Sequence, residues 1–220
     1  MHERDYLMRL IARAASALGA VMGLREQKKP DQAIQEINEF LARELRMRSR
    51  IAMGLSDQEL LSMLTAGGVP NAESVAVIAA FLQEEAEVLT DLGRTEESVP
   101  RFAKALRLNL YLMRENGGFD GWNIEERIGR LLDSLAPYEW DEETARAVWP
   151  WLEASGKLSQ AEDLLYEMRE RFGIGREEGL AFYERLALLD EETLQAGGLS
   201  REEVEEGRRQ WLAAAKENAG

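Results

Sequence analysis

A chain of 220 residues with no Cys, a single His and 41 acidic against 27 basic side chains carries a formal charge of −14. That inventory excludes disulfides, thiolate nucleophiles and Cys-ligated zinc, and with His2 as the sole imidazole it excludes Ser-His-Asp chemistry and multi-His metal sites. The acidic balance argues against nucleic acid or an anionic membrane as the main partner, and a composition 45% hydrophobic and 31% charged fits a folded cytoplasmic protein.

The opening MHERDYLMRL mixes acids and bases and does not read as a signal peptide. Helix signals dominate from there on. Only eight Val are present, and no run of alternating β-branched residues lies between turn signals, so strands have little support. Tyr6, Leu7, Leu10, Ile11, Ala14, Leu18, Val21 and Met22 recur at three and four spacing and predict a first helix. Pro30 ends a charged connector and opens a second helix with Ala33, Ile34, Ile37, Phe40, Leu41 and Leu45 on one side. A proline is well placed there, because its missing N–H would find no partner in a first turn.

Later starts carry capping boxes at Ser56/Glu59, Ser159/Glu162 and Ser200/Glu203, with Asn123/Glu126 as a looser example. Gly67-Gly68, Gly117-Gly118, Gly173 to Gly175 and Gly197-Gly198 punctuate between helices. The pattern gives about ten helices, with the loosest connection at 114–122 and a second seam near Pro137. The expected division is a helical domain over 1–136 and an acidic C-terminal helical region over 137–220 packed on it, or one continuous domain.

Charge is polarised along the chain: residues 1–55 hold 10 bases and 7 acids, the remainder 17 and 34. Arg43, Arg46, Arg48 and Arg50 crowd into one stretch. Their plain reading is a solvated helix face. The functional reading makes Arg43, Arg46 and Arg50 a docking patch for an acidic partner or a second copy of the chain. No aromatics interleave with them, so nucleic acid is not expected.

Three segments share a helix, a short polar turn and a second helix with a small residue near its start: Ala33, Ser98 and Ala161. A small side chain lets antiparallel helices approach closely, and such a pair must stack on neighbours to bury its apolar face. The middle segment resembles a tetratricopeptide repeat, with Ala86, Leu89, Gly93, Phe102 and Ala105 at the motif's spacing and Leu82 where its aromatic stands. It departs from the motif at Ser98, at Leu110 in place of the closing Pro, and at Pro100, which removes a hydrogen bond unless the second helix begins late. The third segment keeps Gly156 and Ala161, with Pro150 inside its first helix; the first keeps Ala33. The chain's opening and its end also resemble an uncharacterised bacterial family with tetratricopeptide-like helices, which brings no activity with it. The expected fold is all-α, stacked antiparallel helix pairs in a superhelix.

The resemblance implies a binding protein whose first helices line a concave surface. In the middle repeat the groove positions fall at Gln83, Glu87, Thr90 and Asp91, and the Lys and Asn that grip carboxylate termini are absent there. Acids in their place favour a basic or neutral protein segment; their plain reading is ordinary solvated helix surface. Acid pairs Glu84/Glu87, Glu139/Glu143 and Glu202/Glu206 suit a shared proton or a cation, but composition alone supplies such pairs, and no E-x-x-H motif accompanies them. Glycine-rich GGFDG and FGIGREEG follow no strand and read as turns rather than phosphate loops.

Tyr138, Trp140, Trp149 and Trp151, with Trp122 upstream, are the most unusual local feature. Indoles serve as core or as interface anchors, and Trp149 and Trp151, two apart around Pro150, cannot both bury on one helix face. Phe172, Phe182 and Tyr183 read as core. The expectation is a non-enzymatic interaction or scaffold protein without cofactor or metal, whose partner is a protein or peptide. The alternative is a self-assembling structural protein, as a homodimer through the arginine-rich helix. An unrecognised enzyme is the remaining reading and would need an enclosed polar pocket.

Overall fold

The computed structural model describes residues 2–116 and 122–213, which form twelve α-helices and one pair of two-residue strands. The Gly117-Gly118 turn, the GGFDG segment and the side chains of His2, Tyr6 and Leu7 lie outside the described residues. No helix among those described is long and apolar enough to cross a membrane. The chain divides into two compact units, Met1–Trp140 and Asp141–Gly220.

The first unit runs α1 (His2–Glu26), α2 (Pro30–Leu45), α3 (Ser49–Gly54) and α4 (Asp57–Met63), then a minimal antiparallel ladder of β1 (Thr65–Ala66) and β2 (Val69–Pro70). It continues with α5 (Ala72–Asp91), α6 (Thr95–Asn116) and α7 (Ile124–Leu135). The ladder is a feature the sequence pattern did not indicate. It is a hairpin bridging Gly67 and Gly68, both at positive φ, with no alternating segment to announce it. The second unit holds α8 (Glu142–Ala154), α9 (Leu158–Phe172), α10 (Arg176–Ala187), α11 (Glu191–Ala196) and α12 (Arg201–Ala213).

Helix α5 organises the first unit. Every residue from Val75 to Leu89 except Glu87 is buried, so the helix has no solvent face over that stretch. A helix apolar around its circumference must be covered on all sides, and α1, α2, α3 and α6 all pack against it. Phe40 of α2 stacks on Phe81 of α5 with centroids 4.6 Å apart and planes 15° from parallel. Helix α7 packs on α6 through Ile124, Ile128, Leu131 and Leu135.

The three segments singled out in the sequence are the hairpins α1–α2, α5–α6 and α8–α9, and Ala33, Ser98 and Ala161 are buried at their seams. One turn closes all three. Lys29, Arg94 and Lys157 donate their N–H to the carbonyls of Leu24, Leu89 and Leu152, each at 2.9 Å, and Lys28, Gly93 and Gly156 donate to Arg25, Thr90 and Glu153. This double closure satisfies the last carbonyls of the first helix and requires a left-handed residue at the turn. Gly93 and Gly156 supply it without strain, whereas Lys28 carries a side chain at φ 57.

The second unit is built on aromatic side chains. Trp211 of α12 fills the space over Gly179 of α10, and Tyr183 of α10 fills the space over Gly207 of α12, where a Cβ would overlap each ring. Tyr183 donates to Glu162 of α9 at 2.6 Å, and Tyr166 of α9 lies 5.9 Å from the Trp211 ring.

Capping follows the sequence in part. Ser56/Glu59 and Ser200/Glu203 form reciprocal boxes. Ser159 lies inside α9, which begins at Leu158, and its N–H goes to Gly197 instead. Asn123 adopts φ 48, and its side chain donates to Glu126 rather than capping α7. Asn71, Asp141 and Asp190 cap helices that carried no box signature. Helix α6 begins at Thr95, so Pro100 sits within it, one hydrogen bond short, as Pro150 does in α8.

A Cβ at Gly93 or Gly156 meets nothing within 4 Å, so an alanine there costs only the left-handed backbone. Gly93→Ala and Gly156→Ala should each lower stability by about 1 kcal/mol, and Lys28→Gly should raise it by a similar amount. Urea denaturation of the three variants checks the ordering.

Candidate functional site

Two polar clusters flank α5. The first begins where α2 ends: Arg46 adopts φ 54, and the chain turns into α3. Ser49, the first residue of α3, donates its backbone N–H to Asn38 Oδ1 of α2 at 3.2 Å and its hydroxyl to Glu85 Oε1 of α5 at 2.9 Å. Arg101 of α6 donates to Glu85 Oε2, also at 2.9 Å, and to the carbonyl of Glu97 at 2.8 Å. Glu85 is only 3% exposed, and the two donors saturate both of its oxygens. A buried carboxylate is tolerable on those terms.

Above this floor opens a cavity of about 1060 Å³, rimmed by Arg43, Arg48 and Arg50. Two of its acids are paired with arginines, Glu85 with Arg101 and Glu97 with Arg94 through two bonds of 2.7 and 2.8 Å, while Glu39 accepts from the neutral amide of Gln35. Arg43 pairs with Glu44 at 3.1 Å and lies 5.5 Å over the Phe40 ring. Arg48 and Arg50 are exposed, and their side chains make no hydrogen bond or ion pair among the described residues. Arg46 is exposed as well and stands outside the lining. Uncommitted guanidiniums beside a cavity can hold carboxylate or phosphate groups through paired N–H donors.

The second cluster holds the groove positions inferred from the middle repeat. Gln83 is buried, and its Oε1 accepts from Arg127 of α7 at 3.2 Å. Glu87 and Asp91 both accept from Arg25 of α1, which bridges them. Thr90 turns its hydroxyl back onto the carbonyl of Ala86 at 2.9 Å. The hydrogen bond to Asp91, against the opposing cost of burial, holds the Arg25 guanidinium above its ordinary value. Burial, reinforced by Glu87, pushes the Glu84 carboxyl up to about 7, and burial lowers Arg127. Gln83, Glu87 and Asp91 therefore meet arginines of the same unit.

Trp149 and Trp151 are both half-buried on α8, which continues through Pro150. Trp149 lies 5.8 Å from the Phe182 ring, and Trp151 carries the Lys157 ammonium 4.7 Å above its ring. Phe182 and Tyr183 are fully buried, Phe172 half-buried, and Trp122 is buried under Arg127. The described residues contain no group of three or more acidic or His side chains placed to hold a metal ion.

The sequence grouped Arg43, Arg46 and Arg50 as a docking patch; Arg43 and Arg50 share a cavity, and the floor of that cavity carried no sequence motif. Asn38, Ser49, Glu85 and Arg101 come from four helices and share no motif. The available signal was the polar triplet Gln83-Glu84-Glu85 inside an otherwise apolar helix.

A family model described as "Family of unknown function (DUF6483)" matches residues 1–216, and the chain belongs to that family. Neither a curated protein nor a solved structure matches it.

Because Glu84 titrates near 7 in the folded chain against an ordinary value of 4.5, its contribution to stability falls as pH rises from 4.5 through 7. Glu84→Gln removes that penalty. The variant should match the native protein below pH about 4.5 and exceed it by up to about 3 kcal/mol at pH 8, as read by urea denaturation across that range.

Proposed function

We propose that this member of the family is a non-enzymatic interaction protein whose arginine-rimmed basin receives an acidic segment of a partner protein. The observation that carries the reading is the pair Arg48 and Arg50, whose exposed side chains stand uncommitted at the mouth of a cavity in which Glu85 and Glu97 are already paired with arginines. Arg43 adds a third guanidinium within reach. A basic segment at Gln83, Glu87, Thr90 and Asp91 is the weaker alternative, since Arg25 and Arg127 already serve the polar groups there. The three hairpins closed by one turn support reading the helix pairs as tetratricopeptide-like units, a class suited to peptide binding.

A second reading, self-association, is favoured by α1. Its inner face buries Leu10, Ala14, Leu18 and Val21, yet its outer face carries Met8 at 69% and Met22 at 50% exposure with Ala12, Ala15 and Gly19 between them. No charge interrupts the sequence from Ala14 to Leu24. Exposed apolar faces of that kind mark contacts with another chain.

Fluorescence anisotropy separates the two. A labelled Glu-rich peptide should bind, a Lys-rich peptide of equal length should not, and Arg48→Glu with Arg50→Glu should weaken binding about tenfold or more, with a steep salt dependence. Equal affinity for both peptides, or an unaffected double variant, would remove the acidic-partner reading. Self-association predicts a concentration-dependent mass in sedimentation velocity that Met22→Glu abolishes.

A further inference from the structure

Glu84 is buried and Arg127 half-buried; the two are opposite in charge and not hydrogen-bonded to each other. Glu84 is 7% exposed, and its Oε2 is buried with no hydrogen-bond partner. Four charged groups surround it: Glu87 on its own helix, Arg25 from α1, and Arg127 and Arg130 from α7. Three of them are accounted for. Arg25 is bound to Glu87 and Asp91, Glu87 is bound to Arg25, and the exposed Arg130 faces Glu126 at 3.9 Å.

Arg127 is the exception, because both of its hydrogen-bond partners are neutral. One Nη donates to Gln83 Oε1 and Nε donates to the Trp122 carbonyl, both at 3.2 Å, while the guanidinium lies 5.4 Å over the Trp122 indole. Gln83 is the chain neighbour of Glu84, so the acceptor that holds Arg127 and the orphan carboxyl project from adjacent positions of α5. A half-buried guanidinium held on two neutral carbonyls beside a carboxyl is the arrangement expected while that carboxyl is uncharged. Once the carboxyl ionises, its attraction for the cation exceeds that of an amide oxygen, because charge-assisted pairs are roughly twice as strong as bonds between neutral groups.

We propose that Glu84 and Arg127 form a proton-controlled latch between α5 and α7. With Glu84 as the neutral acid, Arg127 rests on Gln83 and on the Trp122 carbonyl. When Glu84 releases its proton to solvent, the carboxylate draws the guanidinium off Gln83, and the Trp122 ring beneath it changes environment. Burial places that proton loss near neutrality, so the latch responds within the ordinary cellular range of pH. It is independent of what the arginine-rimmed basin binds, since none of its residues lines that cavity.

The test is ¹⁹F NMR of the full chain labelled with 5-fluorotryptophan, with the Trp122 signal assigned by Trp122→Phe. Between pH 5.5 and 8.5 that signal should follow a one-proton titration with a midpoint within about one unit of 7, and in Glu84→Gln it should be flat. The Arg127 Nε–H resonance of the unmutated protein should move with the same midpoint, which keeps the test decisive if the glutamine variant folds poorly. A Trp122 signal that stays fixed in the native protein, one that titrates identically in Glu84→Gln, or an Arg127 resonance that does not follow Trp122 overturns the latch.

Discussion

Helix α5 has no solvent side over most of its length, and the first unit is arranged by that constraint. Val75 through Leu89 offer apolar surface in every direction, apart from a polar interruption at Gln83-Glu84-Glu85 and at Glu87. Covering such a helix takes several neighbours, and α1, α2, α3 and α6 each take a side. Any polar group left on it must then be satisfied by what covers it. Ser49 and Arg101 do so for Glu85, Arg127 for Gln83 and Arg25 for Glu87. Glu84 is the group for which this arrangement provides no partner, and its carboxyl stays protonated to near neutrality for that reason.

The same constraint sorts the arginines into two populations. Arg25, Arg101 and Arg127 are drawn inward to serve α5, and Arg107 with the buried Lys104 ties α6 to Asp57 at the start of α4. Arg46, Arg48 and Arg50 belong to the α2–α3 corner, where no acid of the unit reaches them. Within the first 55 residues, Arg25 bridges Glu87 and Asp91 of α5, whereas Arg48 and Arg50 stand at the mouth of a cavity.

Helix class and pairing were legible in the sequence because both depend on local pattern. The hairpins at Ala33, Ser98 and Ala161 followed from small residues beside turn signals, and two capping boxes followed from Ser and Glu at fixed spacing. The Ser159/Glu162 match failed because α9 begins one residue before Ser159, leaving that serine inside the first turn. Asn123 failed because a left-handed backbone turns its side chain away from the N–H groups it would cap. The two strands escaped notice since two residues are too few to show alternation. Of the candidate binding residues, Arg43 and Arg50 come to line one cavity, while Gln83, Glu87 and Asp91 on α5 meet arginines of neighbouring helices. Spacing along one helix does not say which other helix lies alongside.

By itself the sequence determined that this chain is helical, where most of its helices pair, and that its basic residues concentrate at one end. Those properties follow from periodicity, turn chemistry and composition, which act over a few residues. Only the tertiary structure decided which charges are spent inside and which remain available. That Glu87 and Asp91 face Arg25, and that Glu84 faces no partner, depends on helices more than 30 residues apart being brought to one place. Burial sets the energetic weight of each such pairing, and burial is a property of the assembled unit.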